Sequence, residues 1–254
     1  MADTTSSGSR TRLDALLVQR GLFQTRSRAR DAILRGTVTA GGAVVTRPGQ
    51  QIARGTDIRI DDPARQWVSR AALKLAAGLD AFGFDPAGCT CLDIGASTGG
   101  FTQVLLARGA SRVYAIDVGH GQMDAAIAAD PRVVNLEGIN ARDLVAGDIG
   151  DAAPDFLVSD VSFISLKLAL PPALGMAAPG ARGIFLVKPQ FEAGREAIGK
   201  GGLLRDPGQA ATIADDLKLW LDAQAGWRAV GPVASPIEGG DGNVEYLIGG
   251  EKRS

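Results

Sequence analysis

Histidine and cysteine are nearly missing from this sequence: His120, Cys89 and Cys91 are all that 254 residues contain. A single imidazole excludes a histidine-rich metal centre and would have to carry a serine-histidine-aspartate triad alone. Cys89 and Cys91 are two positions apart, too close for an ordinary disulfide framework and too few for a structural zinc site, so they read as core thiols and no metal is expected. Lysine is scarce as well, Lys74 being the only one before Lys167. No apolar run reaches the ~20 residues that cross a bilayer. The stretch from Met1 to Arg12 is polar, with no apolar segment ahead of a small-residue cleavage site. A cytoplasmic protein without a membrane partner is therefore expected. A hydrophobic share of 45% against 22% charged residues excludes a mainly disordered chain.

Charge is divided unevenly along the chain. Residues 1–60 carry ten arginines against Asp3, Asp14, Asp31 and Asp57, a surplus of +6 inside a chain whose net charge is -1. Planar guanidinium forks at that density suit a polyanion, and nucleic acid is the natural candidate. Leu13, Leu16, Leu17 and Gly21 pattern a short helix, and Thr25 caps a second one that ends at Gly36. On the second helix Ala29, Ala32 and Ile33 can face inward while Arg26, Arg28 and Arg30 project. Three strand-like pieces follow, Thr37 to Thr39, Ala43 to Val45 and Asp57 to Ile60, with turns at Gly41-Gly42 and Pro48-Gly49. Arg12-Leu13-Asp14, Arg26-Ser27-Arg28, Ile33, Gly36-Thr37-Val38, Val45 and Pro48-Gly49 resemble the S4 RNA-binding fold. That resemblance implies a small α+β unit over residues 12–60 that grips structured RNA by shape and phosphate. Residues 1–11 are expected to be a flexible terminus and residues 61–68 an interdomain link.

From residue 69 to 254 the pattern changes to alternating strands and helices. A helix from Ser69 to Phe82 is followed by strands at Thr90 to Ile94, Arg112 to Ile116, Val133 to Leu136, Phe156 to Ser159, Gly183 to Val187, Trp227 to Ala234 and Val244 to Ile248. This is α/β, and in an open parallel sheet ligands collect beyond the carboxyl ends of the strands. The first strand runs into Gly95-Ala96-Ser97-Thr98-Gly99-Gly100-Phe101, and the second ends at Asp117, 22 residues after Gly95, where a carboxylate can accept from ribose hydroxyls. Ser97 stands where a dinucleotide turn would have its second glycine, which favours S-adenosylmethionine. Asp160 and Lys188 close two further strands, and Glu245 reaches the same rim if the last strand runs antiparallel. His120 is read as opening the helix after Asp117.

Five stretches complete a second resemblance: Ser69-Arg70 with Lys74-Leu75, Leu92 to Phe101, Ser159 to Leu166, Leu186 to Glu192 and Gly242 to Tyr246. They resemble the TlyA (haemolysin A) family, FtsJ-like RNA methyltransferases with an S4 unit in front, and Arg65-Gln66-Trp67-Val68 is similar to that family's link. The resemblance implies a Rossmann-like class I methyltransferase sheet with an antiparallel last strand, preceded by the S4-like unit. It implies methyl transfer from S-adenosylmethionine to cytidine 2'-hydroxyls of ribosomal RNA, on free RNA or on ribosomal subunits; the sequence itself leaves the oligomeric state open, with a monomer favoured. Lys74, Asp160, Lys188 and Glu245 take the places of the family's catalytic tetrad. Gly95, Ala96, Ser97, Gly99, Gly100, Phe101, Asp117 and Asn140 are the expected cofactor contacts, and Arg12, Arg26, Arg28, Arg30, Arg65 and Arg70 the expected RNA contacts. Glu137-Gly138-Ile139-Asn140 departs from the family's more usual Glu-Arg-Thr-Asn, with one basic residue fewer. Lys188 is expected to contact the 2'-oxygen, as general base or as orienting group, and Asp160 to help orient the hydroxyl and disperse its proton, with Lys74 lowering and the nearby carboxylates raising the Lys188 pKa. The competing readings are an inactive RNA-binding or ribosome-assembly factor, a nicotinamide-dependent reductase, and a membrane-active haemolysin, the last opposed by short, glycine-interrupted helices.

Overall fold

A computed structural model describes residues 9–150, 153–240 and 242–253. The chain divides after Arg65 into two units with separate interiors. Of the expected flexible terminus, residues 1–8 lie outside the described residues.

The first unit contains β1 (Arg10–Arg12), α1 (Leu13–Gln19), α2 (Arg26–Leu34), β2 (Val38–Ala40), β3 (Ala43–Val44), β4 (Gln51–Ala53) and β5 (Ile58–Ile60). Thr25 Oγ1 accepts the Arg28 N–H at 3.3 Å and caps α2, and Gly36 leaves the helix at a φ of +73°, which a side chain would resist. Ala29, Ala32 and Ile33 are fully buried against Leu13, Leu16, Leu17 and Val38, as their spacing predicts. β2 pairs antiparallel with both β3 and β5. The β1–β4 ribbon differs from expectation: Arg10 and Thr11, placed in the loose terminus, pair with Ala53 and Ile52.

The second unit contains α3 (Ala72–Phe82), β6 (Thr90–Ile94), α4 (Gly100–Ala107), β7 (Arg112–Asp117), α5 (Ala125–Ala128), β8 (Val133–Glu137), β9 (Phe156–Ser159), α6 (Leu166–Ala169), α7 (Pro171–Met176), β10 (Arg182–Val187), α8 (Pro189–Glu192), α9 (Gln209–Asp222), β11 (Trp227–Ala234) and β12 (Tyr246–Lys252). Among the described residues these strands form a seven-stranded sheet in the order β11-β12-β10-β9-β6-β7-β8. β12 runs antiparallel to β10 and β11, and the β10-β9-β6-β7-β8 ladders are parallel. This is the Rossmann-like methyltransferase arrangement with a reversed last strand. The central strands are apolar on both faces because helices cover both. Phe185 and Val187 enter one core with Leu157, Trp227 and Leu217, while Ile184 and Leu186 enter the other with Leu75, Leu79 and Val104. Cys91 is buried in the second core, and burial raises its thiol pKa; Cys89, half-buried, is pushed up to about 11.

Several boundaries depart from the sequence reading, three of them in segments that flank the candidate site. α3 starts at Ala72, because Ser69 Oγ accepts the Ala71 N–H at 3.2 Å in a turn that precedes the helix. β12 starts at Tyr246, two residues late, since its ladder with β10 ends at the Val187–Tyr246 pair. His120 opens no helix: it lies in a bend, its ring close to Gly138, and α5 begins only at Ala125. The unit boundary falls within the expected link. Trp67 and Val68 pack on the core of the second unit, and Gln103 Oε1 accepts the Val68 N–H at 2.7 Å.

Candidate active site

Strand register positions the site. Because Val187 pairs with Tyr246 at the end of the antiparallel ladder, Lys188 and Glu245, the next residues outward, leave the sheet side by side. Ser159 is level with Phe185 on one neighbour and Ile94 on the other, so Asp160 and Gly95 emerge at the same rim. The Asp160 N–H donates to Ile94 O at 3.1 Å. Lys74, on the first turn of α3, ion-pairs with Glu245. Four residues far apart in sequence, three at strand ends and Lys74 on α3, thus form two lysine–carboxylate pairs at one rim.

The pairs differ in environment. The Lys74 and Glu245 side chains are 6% and 2% exposed, so their charges are almost wholly desolvated and depend on one another. Lys188 Nζ lies 2.7 Å from Asp160 Oδ1 in a charge contact, and donates to Ser162 Oγ at 2.7 Å and to Asp160 O at 3.3 Å. Each lysine at the rim therefore has a carboxylate of its own, Glu245 for Lys74 and Asp160 for Lys188.

A cleft of about 330 Å³ opens beside Asp160, within the size range of small-ligand sites. Gly95, Ser97, Asp117, Asn140, Asp160 and Phe163 line it, with Ile116, Val118 and Ile139 as apolar wall. A smaller recess of about 70 Å³ is bounded by Ser69, Ala96, Ser97, Gly100, Phe101 and Asp160. Asp117 fixes the cleft floor: Oδ2 accepts the Ser97 N–H at 2.8 Å and Oδ1 the Gly119 N–H at 2.7 Å. Asn140 Oδ1 accepts the Arg142 N–H at 3.2 Å and holds its loop. Gly99 faces away from the cleft. A Cβ there would stand 3.1 Å from Ile127, so its role is to start α4 at a φ of +88° and to let α5 approach. Phe101 is 2% exposed and its ring belongs to the core. These residues fit S-adenosylmethionine: a carboxylate for ribose hydroxyls, an apolar slot for an adenine, and Asp160 as counter-charge for a sulfonium.

Residues that sequence reasoning passed over support this rim. Ser162 holds Lys188. Glu192 clasps the loop after β9, its Oε2 accepting from Ser165 Oγ at 2.5 Å and its Oε1 from the Leu166 N–H at 2.7 Å; burial raises its pKa. Phe163 is 90% exposed at the cleft edge, at a φ of +64° that non-glycine residues rarely adopt, and leans on Phe191 with ring centroids 5.0 Å apart. Beneath the glycine turn, Asp93 is fully buried, accepts from Thr102 Oγ1 at 2.7 Å and is pushed up to about 7 by burial. Ser162 and Glu192 lie inside the motif stretches, but neither charge nor period sets them apart there.

In the first unit Arg30 is exposed, Arg12 and Arg26 both contact Asp14, and Arg28 donates to Arg65 O at 3.4 Å. Arg65 is exposed as well. Arg70, in the second unit, is half-buried with Nη2 beside Gly240, so it is more enclosed than Arg30 and Arg65. Among the described residues no group of three or more histidine, cysteine, aspartate or glutamate side chains could hold a metal ion, and no helix is long and apolar enough to cross a membrane.

Comparison with known proteins places this geometry. The FtsJ-like methyltransferase model matches residues 67–252 and the S4 domain model residues 11–58. The chain is 46% identical to the 16S/23S rRNA (cytidine-2'-O)-methyltransferase TlyA of Mycobacterium tuberculosis, over 94% of this chain and 89% of that protein. It belongs to the TlyA family of FtsJ-like methyltransferases. Within the TlyA family it is also 40% identical to hemolysin A of Brachyspira hyodysenteriae, covering 93% of this chain and 98% of that one. The solved structure of a candidate hemolysin from Streptococcus thermophilus superposes with a TM-score of 0.74 at 38% identity, covering 98% of this chain and 90% of that chain. The FtsJ-like match spans the unit that carries the two lysine–carboxylate pairs, and the S4 match spans the arginine-rich unit.

Proposed function

We propose that this protein transfers a methyl group from S-adenosylmethionine to the 2'-hydroxyl of cytidine in ribosomal RNA. The observation that carries the reading is the pair of ion pairs, Lys74–Glu245 and Lys188–Asp160, at the rim where a cleft lined by Asp117 and Asp160 opens. The identity to a relative named for this activity, over 94% of the chain, supports the substrate.

Gly95 and Ser97 would hold the cofactor from the backbone side, Asp117 its ribose, and Ile116, Val118, Ile139 and Asn140 its adenine. When bound, S-adenosylmethionine supplies a methyl group already activated by the sulfonium charge. A ribose hydroxyl is a poor nucleophile, so the chain's own residues must align it and take its proton. Lys188 donates to Ser162 Oγ and Asp160 O and ion-pairs with Asp160 Oδ1; turning one hydrogen to the 2'-oxygen would fix that atom in line. Asp160, beside it, would accept the hydroxyl proton during transfer and pass it to water. Lys74 and Glu245 brace β12 against α3 and hold the Lys188 strand end in place. In vitro, labelled methyl from the cofactor should enter rRNA and appear in 2'-O-methylcytidine after nuclease digestion. Binding of rRNA without transfer would instead favour a non-catalytic assembly factor.

A further inference from the structure

We propose that Asp14 is a positioning residue of the RNA-contact surface of the first unit, holding the guanidinium groups of Arg12 and Arg26 as one preorganised pair for an RNA phosphate. The inference rests on the reading that this unit binds RNA.

Asp14 is 3% exposed, yet its carboxylate meets both arginines. Arg12 Nε donates to Oδ1 at 3.1 Å and Nη2 to Oδ2 at 2.8 Å, a two-pronged contact, and Arg26 Nη2 donates to the same Oδ2 at 3.0 Å. The two side chains remain 48% and 59% exposed. On its other side the Arg12 guanidinium lies against Gly49, where a Cβ would stand 3.1 Å from Nη1, so the Pro48-Gly49 turn leaves room for it. The start of α1 is tied to that turn by the Leu13 and Asp14 N–H groups, which donate to Gln50 O and Pro48 O at 2.9 and 3.1 Å. The Arg12 hydrogen bond, ahead of the other contacts, holds the Asp14 carboxyl down at about 2, so it stays charged wherever RNA binding is measured.

Without the acid, two guanidinium groups this close would repel and swing apart. With it they share one anchor, keep their outward donors free and carry a net positive charge. Bidentate donors held in place lose less freedom when a phosphate arrives. Asp14 also accepts the Ala15 N–H at 2.8 Å, and a purely structural role would be confined to that helix start.

The two roles predict opposite signs. Asp14→Asn removes a negative charge, so simple electrostatics predicts tighter RNA binding, whereas positioning predicts weaker binding. The full-length chain would be titrated with transcribed 16S and 23S rRNA over a range of salt concentrations, alongside circular dichroism and melting. Asp14→Asn should raise Kd about tenfold and flatten the salt dependence by about one unit of slope for each phosphate no longer neutralised. Arg12→Lys and Arg26→Lys keep the charge but lose the fork, and should weaken binding several-fold with the fold intact. Unchanged or tighter binding by Asp14→Asn, while Arg12→Ala and Arg26→Ala weaken it, overturns the inference and leaves the RNA-binding reading standing. If both alanine variants bind as wild type, the RNA-binding reading of this surface falls and the inference with it. Should Asp14→Asn lose its fold, the lysine variants decide: wild-type affinity in both overturns the proposal.

Discussion

The Lys74–Glu245 pair allows stability and activity to be separated in one double-mutant cycle. Both side chains are nearly inaccessible, so removing either partner strands an uncompensated charge inside the unit. The expected cost is about 3 to 5 kcal/mol for Lys74→Met or Glu245→Leu alone. For a unit of this size that lowers Tm by about 6 to 20 °C, at about 2 to 4 °C per kcal/mol. Replacing both together leaves an apolar contact of similar volume, and most of the lost stability should return. Methyl transfer should not return, because the brace on the rim is gone. Thermal melts of the four proteins, each with a transfer assay below its Tm, test this. Single variants costing under about 1 kcal/mol, the value of an exposed pair, would refute the burial argument. A double variant that regains methyl transfer would refute the role given to the pair at the site.

Lys188→Ala should abolish transfer while the cofactor still raises Tm; retained turnover would refute its assignment. Glu192→Ala should lower kcat at least tenfold with little change in cofactor affinity, because the loop bearing Asp160 and Ser162 loses its clasp, and a purely KM effect would contradict this. Phe163→Ala should raise KM for RNA by a larger factor than it weakens cofactor binding, since the ring lines the cleft at its edge and is 90% exposed; a larger effect on the cofactor would contradict this. Asp93 is raised to about 7 from 3.8, so the folded protein holds a proton that the unfolded chain releases between those values. Relative to Asp93→Asn, wild-type stability should be highest below pH 4, fall as pH rises through 7, and level off above it; parallel stability–pH curves would contradict the buried position.

The parallel strands were legible because burial on both faces leaves apolar runs bounded by turn residues. β6 and β9 begin and end where Thr90 to Ile94 and Phe156 to Ser159 read. The start of β12 was not, because Val244-Glu245-Tyr246 alternates like a strand while the pairing partner ends at Val187. β1 and β4 escaped because Arg10-Thr11-Arg12 has no apolar face and gains its strand form only from Gln51 to Ala53. The four rim residues could be placed from strand ends and the family resemblance, but their division into one fully buried and one partly buried pair is a tertiary fact. Asp14 was counted in sequence as one charge against ten arginines; that two of those arginines converge on it required the fold.

The most direct test of the central claim is a map of 2'-O-methyl groups in rRNA from cells with the protein, without it, and with Lys188→Ala in its place. The account predicts cytidine positions methylated only when the wild-type protein is present. Identical maps in all three strains, or methylation restored in full by the Lys188→Ala protein, would contradict it.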